Sequence, residues 1–366
     1  MIHHHLEHDR SALLIIDMQY DFANPAGRAY IAGSREILPE LIELARIFRE
    51  NRRPVFHIVR LYHPDGSNAE LCRKGVVSSD NPVVAPGSPG AAIVPGLLPD
   101  GAGDINSEAL LSGRVVQLGE RDFILYKPRW GAFYQTALHD VLQSNGINSL
   151  LVAGCNFPNC PRTTIYEASE RDYRLAILPS AMSGVYDRGI HELRNIGVLL
   201  FTELSAVDFF LKTDIVVMNY QPAFREAFKQ LNIAWLNQYF TVEPIDEYVL
   251  SNPEEAILKD GGRLLFAIQR GVVIGTVALK NMGNGRFELT KMTVRQDYRG
   301  KGIGTVLCRQ AITEAERIGA TELVLFSHRR LPDALWIYRK LGFVDTEVDR
   351  TTYARADVMM RRPLGG

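Results

Sequence analysis

The chain has 366 residues, more than one hydrophobic core usually serves, so two domains are expected. Apolar residues make up 46% and charged residues 23%, the balance of an ordinary globular protein, and 41 basic against 42 acidic side chains leave a net charge of -1. Without a basic excess, nucleic acid and anionic membrane surfaces are excluded as expected partners. No apolar run approaches the roughly 18 residues of a membrane span.

The opening MIHHHLEHDR lacks the apolar stretch of a signal peptide. Its histidines (His3, His4, His5, His8) are set aside as a tail, native or added. Cys72, Cys155, Cys160 and Cys308 are too few and too scattered for a disulfide framework, so the cytoplasm is the expected compartment. From Ser11 onward short apolar runs alternate with amphipathic segments. SALLIIDMQ reads as a buried strand, REILPELIELARIFRENR as a helix, PVFHIVRLY and DFILYK as strands, TALHDVLQSNG as a helix stopped by Gly146. INSLLVAG, TTIYEASERDY and RLAILPSA continue as strand, helix and strand. Near-continuous apolar strands separated by helices predict a parallel sheet covered on both faces. Between Leu61 and Asp122 lies a Gly/Pro-rich stretch of weak periodicity, expected to form a lid or binding loop.

The rhythm changes near Leu211, and the boundary is placed so that residues 8–211 form one domain and 213–366 the other. RLLFAIQRGVVIGTVALK reads as a hairpin turning at Arg270-Gly271. FELTKMTV, GTVLCRQAITEAERIG, TELVLFS and DALWIYRKLGF then alternate strand and helix, an α+β order.

In open parallel sheets ligands bind beyond the carboxyl ends of the strands. Asp17 ends SALLIID, Lys127 ends DFILYK, and Cys160 follows SLLVAG within GCNFPNCPRTT. Two cysteines five apart are open to reading as a metal pair, a redox pair or two unrelated thiols. Pro161 suits a first helical turn, so Cys160 is expected at a helix N-terminus, where the dipole and a nearby lysine favour a thiolate and a carboxylate can take its proton. Cys155 lacks such a helix start and reads as a packed thiol.

LLIIDMQYDF, YKPRWGAF and GCNFPNCPRTT stand in the order and spacing of the isochorismatase-like cysteine hydrolases, which residues 8–211 resemble. The resemblance implies an α/β three-layer parallel-sheet fold and a Cys-Lys-Asp triad, with Cys160 as nucleophile, Asp17 as general base and Lys127 steadying the thiolate. It further implies an oxyanion hole from the backbone N–H groups of Asn156 and Cys160, behind a cis Cys155–Asn156 peptide. The name-giving reaction cleaves a vinyl ether without needing a cysteine, so a retained Cys160 points to amide or ureido C–N cleavage through a thioester. Phe157 and Pro158 occupy a position where a small hydroxyl residue is common in the family. No aspartate precedes His57 by two residues, as the metal-binding members would have it, so His57 and His63 are read as packing or loop residues and no metal is expected.

YRGKGIGTVLCRQ opens a helix after a strand. Side-chain-free backbone at Gly300, Gly302 and Gly304 can turn tightly, or can surround a pyrophosphate. A dinucleotide-binding reading is disfavoured because TELVLFSHRR ends basic rather than acidic. Residues 213–366 resemble the GNAT N-acetyltransferases through this loop and through ALWIYRKLGF. That resemblance implies acetyl-CoA as co-substrate, bound by the loop at Arg299, Gly300, Gly302, Ile303 and Gly304 and by strand backbone at Met292 and Val294. Tyr338 would protonate the departing thiolate, and Glu288 is a candidate base. Leu331 stands where many members carry an asparagine.

Together these readings describe a bifunctional enzyme acting on small-molecule amides and amines; the alternative is one active hydrolase with an acyl-CoA-binding regulatory module. Edge strands leave room for a homo-oligomer, without setting a number.

Overall fold

The structure, a computed structural model, describes residues 5–78, 80–102, 105–348 and 356–365. His3 and His4 lie outside them. The chain divides between Asp214 and Ile215 into two compact units.

In the first unit the strands β1 (Ser11–Ile16), β2 (Val55–Val59), β3 (Val116–Gln117), β4 (Asp122–Tyr126), β5 (Ser149–Gly154), β6 (Arg174–Met182) and β7 (Leu199–Leu200) form one sheet in the order β3-β4-β2-β1-β5-β6-β7. All pairings are parallel except that of β3 with β4. The helices are α1 (Tyr20–Ala23), α2 (Leu38–Glu50), α3 (Ser107–Leu111), α4 (Leu138–Ser144), α5 (Cys160–Ser169), α6 (Asp187–Asn195) and α7 (Leu204–Thr213). Every residue of β1, β2 and β5 is buried, which requires cover on both faces. On one face Leu14, Ile58 and Val152 pack with Leu138 and Leu142 of α4, Ile165 and Ala168 of α5, and Leu193 of α6. On the other, α2 lies against β1, β2 and β6 with α7 beside it. This is the three-layer parallel architecture that continuous apolar strands require. From β1 the chain runs outward to β2 and β4, then returns to β5 on β1's other side, and this reversal opens a crevice at the strands' carboxyl ends.

Two stretches escaped the periodicity argument. Helices α6 and α7 follow β6 where no element was expected; α6 buries only Gly189 and Leu193, too few apolar positions to mark a helix. The Leu61–Asp122 stretch carries α3 and short 3-10 turns.

His57, in the middle of β2, is 1% exposed, with Nε2 3.4 Å from Asp122 Oδ1. Burial holds its pKa below the ordinary 6.5, and it stays neutral. The unfolded chain would take up a proton at this position that the folded chain refuses, so stability should fall as pH drops below about 6.5. Urea unfolding across that range is expected to show a steeper loss for the wild type than for His57→Gln; parallel curves would contradict it.

In the second unit the strands are β8 (Ile215–Asn219), β9 (Arg263–Gln269), β10 (Val272–Gly283), β11 (Arg286–Val294), β12 (Glu322–Ser327), β13 (Val344–Thr346) and β14 (Val358–Pro363), in the order β13-β14-β12-β11-β10-β9-β8. The helices are α8 (Arg225–Tyr239), α9 (Pro244–Ser251), α10 (Ile303–Arg317) and α11 (Pro332–Lys340). Pairing is antiparallel except between β11 and β12. Arg270 and Gly271, at φ 47 and 77, make the two-residue turn whose twist suits a hairpin. No helix among the described residues is long and apolar enough to cross a membrane.

Candidate active sites

The crevice of the first unit gathers Asp17, Lys127 and Cys160, which are 4%, 1% and 6% exposed. Asp17 directly follows β1 and turns out of the strand with φ 52, a left-handed conformation that Asp tolerates better than most residues. Its Oδ2 is 2.9 Å from Lys127 Nζ, while Oδ1 is buried without a hydrogen-bond partner among the described residues. Lys127 follows β4 and also donates to the Arg129 carbonyl at 3.3 Å. Burial works against its charge, but Asp17 and Cys160 outweigh burial and raise its pKa.

Cys160 is the first residue of α5, with Pro161 in the first turn. Burial first, then the charge of Asp17, pushes its pKa up to about 12, and Lys127 offsets only part of this. By that shift Cys160 holds its proton near neutral pH, against the direction in which the helix start and Lys127 act. The two cysteines also separate by environment. Cys155 Sγ donates to the Asp17 carbonyl at 3.2 Å, and burial raises its pKa well above the ordinary value. It is a packed thiol that holds the strand end.

The Cys155–Asn156 peptide is cis. Neither the Asn156 nor the Cys160 N–H has an acceptor among the described residues. Gly154, at φ 109, lets β5 run this close to β1: a Cβ there would lie 2.3 Å from the Ile16 carbonyl oxygen. Phe157 is fully buried against Tyr186, with ring centroids 5.4 Å apart.

A second set of residues went unread in the sequence. Arg60 follows the end of β2, as Asp17 and Lys127 follow theirs, and is 2% exposed. It bonds Glu70 Oε1 at 3.2 Å, the Tyr126 hydroxyl at 2.9 Å and the Asn68 carbonyl at 3.0 Å. Glu70 also accepts the Tyr62 hydroxyl at 2.7 Å. This buried polar network ties the start of the long loop to the strand ends. His63 is exposed. Among the described residues no group of three His, Cys, Asp or Glu side chains is arranged to hold a metal ion.

In the second unit β11 pairs with β12 only from Arg286 to Glu288. Beyond that the strands part, and the edge of β11 that carries Met292 and Val294 has no strand partner on that side. At its end Gly300 and Gly302 take φ 76 and 80, and Gly302 caps α10. None of the N–H groups from Gly300 through Thr305, a run that includes Ile303 and Gly304, has an acceptor among the described residues, which makes an anion cradle. Arg299 donates to the Val294 carbonyl at 3.0 Å and to the Tyr239 hydroxyl at 3.1 Å. Tyr338 of α11 is buried, and burial first, then Cys308, raises its pKa strongly, so it holds its proton. Cys308 Sγ lies 3.0 Å from Met292 Sδ, which joins α10 to β11. Glu288 is buried in the paired part of β11, about 13 Å along the strand from Met292. Leu331 precedes α11.

The sequence matches the Isochorismatase domain over residues 11–197 and the Acetyltransferase (GNAT) family over residues 228–343. It is 32% identical over 195 residues to a protein of Arabidopsis thaliana named "Probable inactive nicotinamidase", covering 51% of this chain and 90% of that one. It is 30% identical over 125 residues to an uncharacterized N-acetyltransferase of Schizosaccharomyces pombe, covering 33% and 76%. It is 25% identical over 216 residues to a ureidoacrylate amidohydrolase of Methylorubrum extorquens, covering 56% and 84%. Acyl-CoA use comes with membership of the second family. The chain thus belongs to the isochorismatase family through its first domain and carries a GNAT-family acetyltransferase domain behind it.

Proposed function

We propose that the first domain hydrolyses a small amide or ureido C–N bond through a thioester on Cys160, and that the second transfers an acetyl group from acetyl-CoA to an amine. The observation that carries the first half is the division within Asp17: Oδ2 is held by Lys127 at 2.9 Å while Oδ1 is buried without a partner among the described residues, and the Asp17 side chain interacts with the Cys160 thiol. Asp17 Oδ1 takes the thiol proton as sulfur attacks the carbonyl carbon. The free N–H groups of Asn156 and Cys160 receive the oxyanion, a contribution of about 3 kcal/mol per donor in comparable sites. The proton then passes to the leaving nitrogen and the amine departs. Water, deprotonated by Asp17, opens the thioester to a carboxylic or carbamic acid and restores the thiol. Lys127 keeps the Asp17 carboxylate fixed and charge-balanced throughout. The bacterial relative's name supports the amide and ureido class, whereas the plant relative's name makes turnover itself the first point to test.

For the second half, the unpartnered amides from Gly300 to Thr305 suit a pyrophosphate, and the open edge of β11 suits the pantetheine arm. Tyr338, which keeps its proton, suits the acid that protonates the CoA thiolate. Glu288 or a water next to it would take the proton from the amine. Tyr338→Phe is expected to lower acetyl transfer by roughly 100-fold while leaving acetyl-CoA affinity almost unchanged; equal losses in both would assign Tyr338 to binding.

A pool of small amides and amines incubated with the protein, with and without acetyl-CoA, and followed by mass spectrometry tests both halves. The reading expects a mass loss in one amide and a one-acetyl gain in one amine. No change in either sinks it. If the freed amine is itself acetylated, the two reactions are coupled; if only an unrelated amine is, they run separately.

A further inference from the structure

Lys291 breaks the strand geometry of β11. Its φ is 51, a left-handed value that a lysine keeps only where its surroundings hold it. Across the pairing with β10, Thr276 lies opposite Thr293 and Ala278 opposite Thr290, so Lys291 and Met292 together face Val277 alone. This is a β-bulge, in which one extra residue bends the strand and adds to its twist. It lies between Glu288, where pairing with β12 ends, and the open edge that carries Met292 and Val294.

Two polar ties hold Lys291, one at its carbonyl and one at its ammonium, and each leads to a different helix. The carbonyl accepts from Thr276 Oγ1 at 2.9 Å, and that hydroxyl in turn accepts from Asn232 Nδ2 of α8 at 3.1 Å. Asn232 also donates to the Phe228 carbonyl at 2.9 Å, which fixes the orientation of its amide. The ammonium is 3.0 Å from Asp246 Oδ1 of α9, and Asp246 Oδ2 accepts the Glu243 N–H at 3.3 Å across the first turn of that helix. Thr276, Asn232 and Asp246 are 0%, 3% and 1% exposed. Polar groups buried this fully are costly to unpair, so they hold the backbone in a conformation that it would not adopt alone.

We propose that Lys291, Asp246, Thr276 and Asn232 are positioning residues for the acyl-CoA slot. They hold the bulge that turns β11 away from β12, and so present the backbone of Met292 and Val294 to the pantetheine arm. They act through the strand rather than on the co-substrate. The proposal rests on the acyl-CoA reading of this domain and adds what keeps the slot open. It makes the slot depend on α8 and α9, neither of which carries the glycine loop.

The test compares, by titration calorimetry on the full chain, the binding of CoA with that of adenosine 3′-phosphate 5′-diphosphate, the same nucleotide without its pantetheine arm. Lys291→Met should weaken CoA binding by roughly 10- to 30-fold, the worth of a pair of backbone hydrogen bonds, and leave the nucleotide within about twofold of wild type. Thr276→Val, which cuts the other tie, should show the same split. Lys291→Met strands the Asp246 carboxylate, so the double variant with Asp246→Asn should regain stability toward urea without regaining CoA affinity. Equal losses for CoA and the nucleotide would make the network merely structural and overturn the proposal. Undiminished CoA affinity in the double variant would overturn it too, and would leave the acyl-CoA reading standing. Wild-type protein that binds the nucleotide and CoA equally well has no slot for the arm, which also overturns the proposal. Wild-type protein that binds neither overturns the acyl-CoA reading, and the proposal with it.

Discussion

Cys160→Ala is expected to lower amide hydrolysis by roughly 10⁴- to 10⁶-fold, as loss of the nucleophile does in covalent hydrolases. The fold should survive, because the change removes one sulfur atom at a helix start and leaves the packing of Ile165 and Ala168 below it intact. Cys160→Ser is a sharper variant: it keeps a proton to give to Asp17 but weakens the nucleophile, so activity should fall nearly as far. The resting state of the thiol adds a pH signature. With its pKa pushed up to about 12, Cys160 carries little thiolate at neutral pH. Alkylation by iodoacetamide should start at exposed Cys72, and the rate at Cys160 should climb by about tenfold per pH unit without levelling near neutrality. Hydrolysis should not follow that climb, because in the proposed mechanism Asp17 takes the thiol proton within the complex. Fast alkylation of Cys160 at pH 7 would mean a resting thiolate and a different division of roles.

The second large effect is expected at Lys127, and it concerns stability as much as rate. Lys127→Met leaves the Asp17 carboxylate buried without its counter-charge, a change that typically costs about 3–5 kcal/mol. Hydrolysis should fall with it. The double variant Asp17→Asn with Lys127→Met removes both charges and should regain most of the stability but none of the activity. The sign of the pH effect follows from the direction of the shift. The folded pKa of Lys127 lies above the ordinary 10.5, so the ion pair's contribution is complete at neutral pH and is lost only as pH rises through the folded value. Urea unfolding of the three proteins near neutral pH decides the matter. A single-variant cost below about 1 kcal/mol would mean that water reaches the pair.

What could be read from the sequence followed from burial. Strands such as SALLII and SLLVAG are covered on both faces, so they appear as unbroken apolar runs and their ends are easy to place. Asp17 and Lys127 then stand out as charges set against those ends. Cys160 stands out by its proline. The two-residue strands β3 and β7 carry too few residues for any period to show. The long loop was opaque for a different reason. It is held by Arg60, Glu70, Tyr62 and Tyr126 through polar bonds rather than by an apolar stripe, and hydrophobic periodicity cannot register such an anchor. Arg60 nonetheless left a signal, since it follows β2 as Asp17 follows β1. In the second unit the glycines of RGKGIG were legible because only a left-handed backbone at Gly300 and Gly302 opens the loop. The parting of β11 from β12 was not, because a strand's sequence does not record where its neighbour leaves it.

The most direct measurement is rapid acid quench of the protein mixed with the amide that it turns over, followed by mass spectrometry of the peptide that contains Cys160. A covalent acyl adduct on that peptide, formed before product appears and absent in Cys160→Ala, is the expected result. Product that accumulates with no adduct at Cys160, or that persists in the alanine variant, would contradict a thioester mechanism at this site.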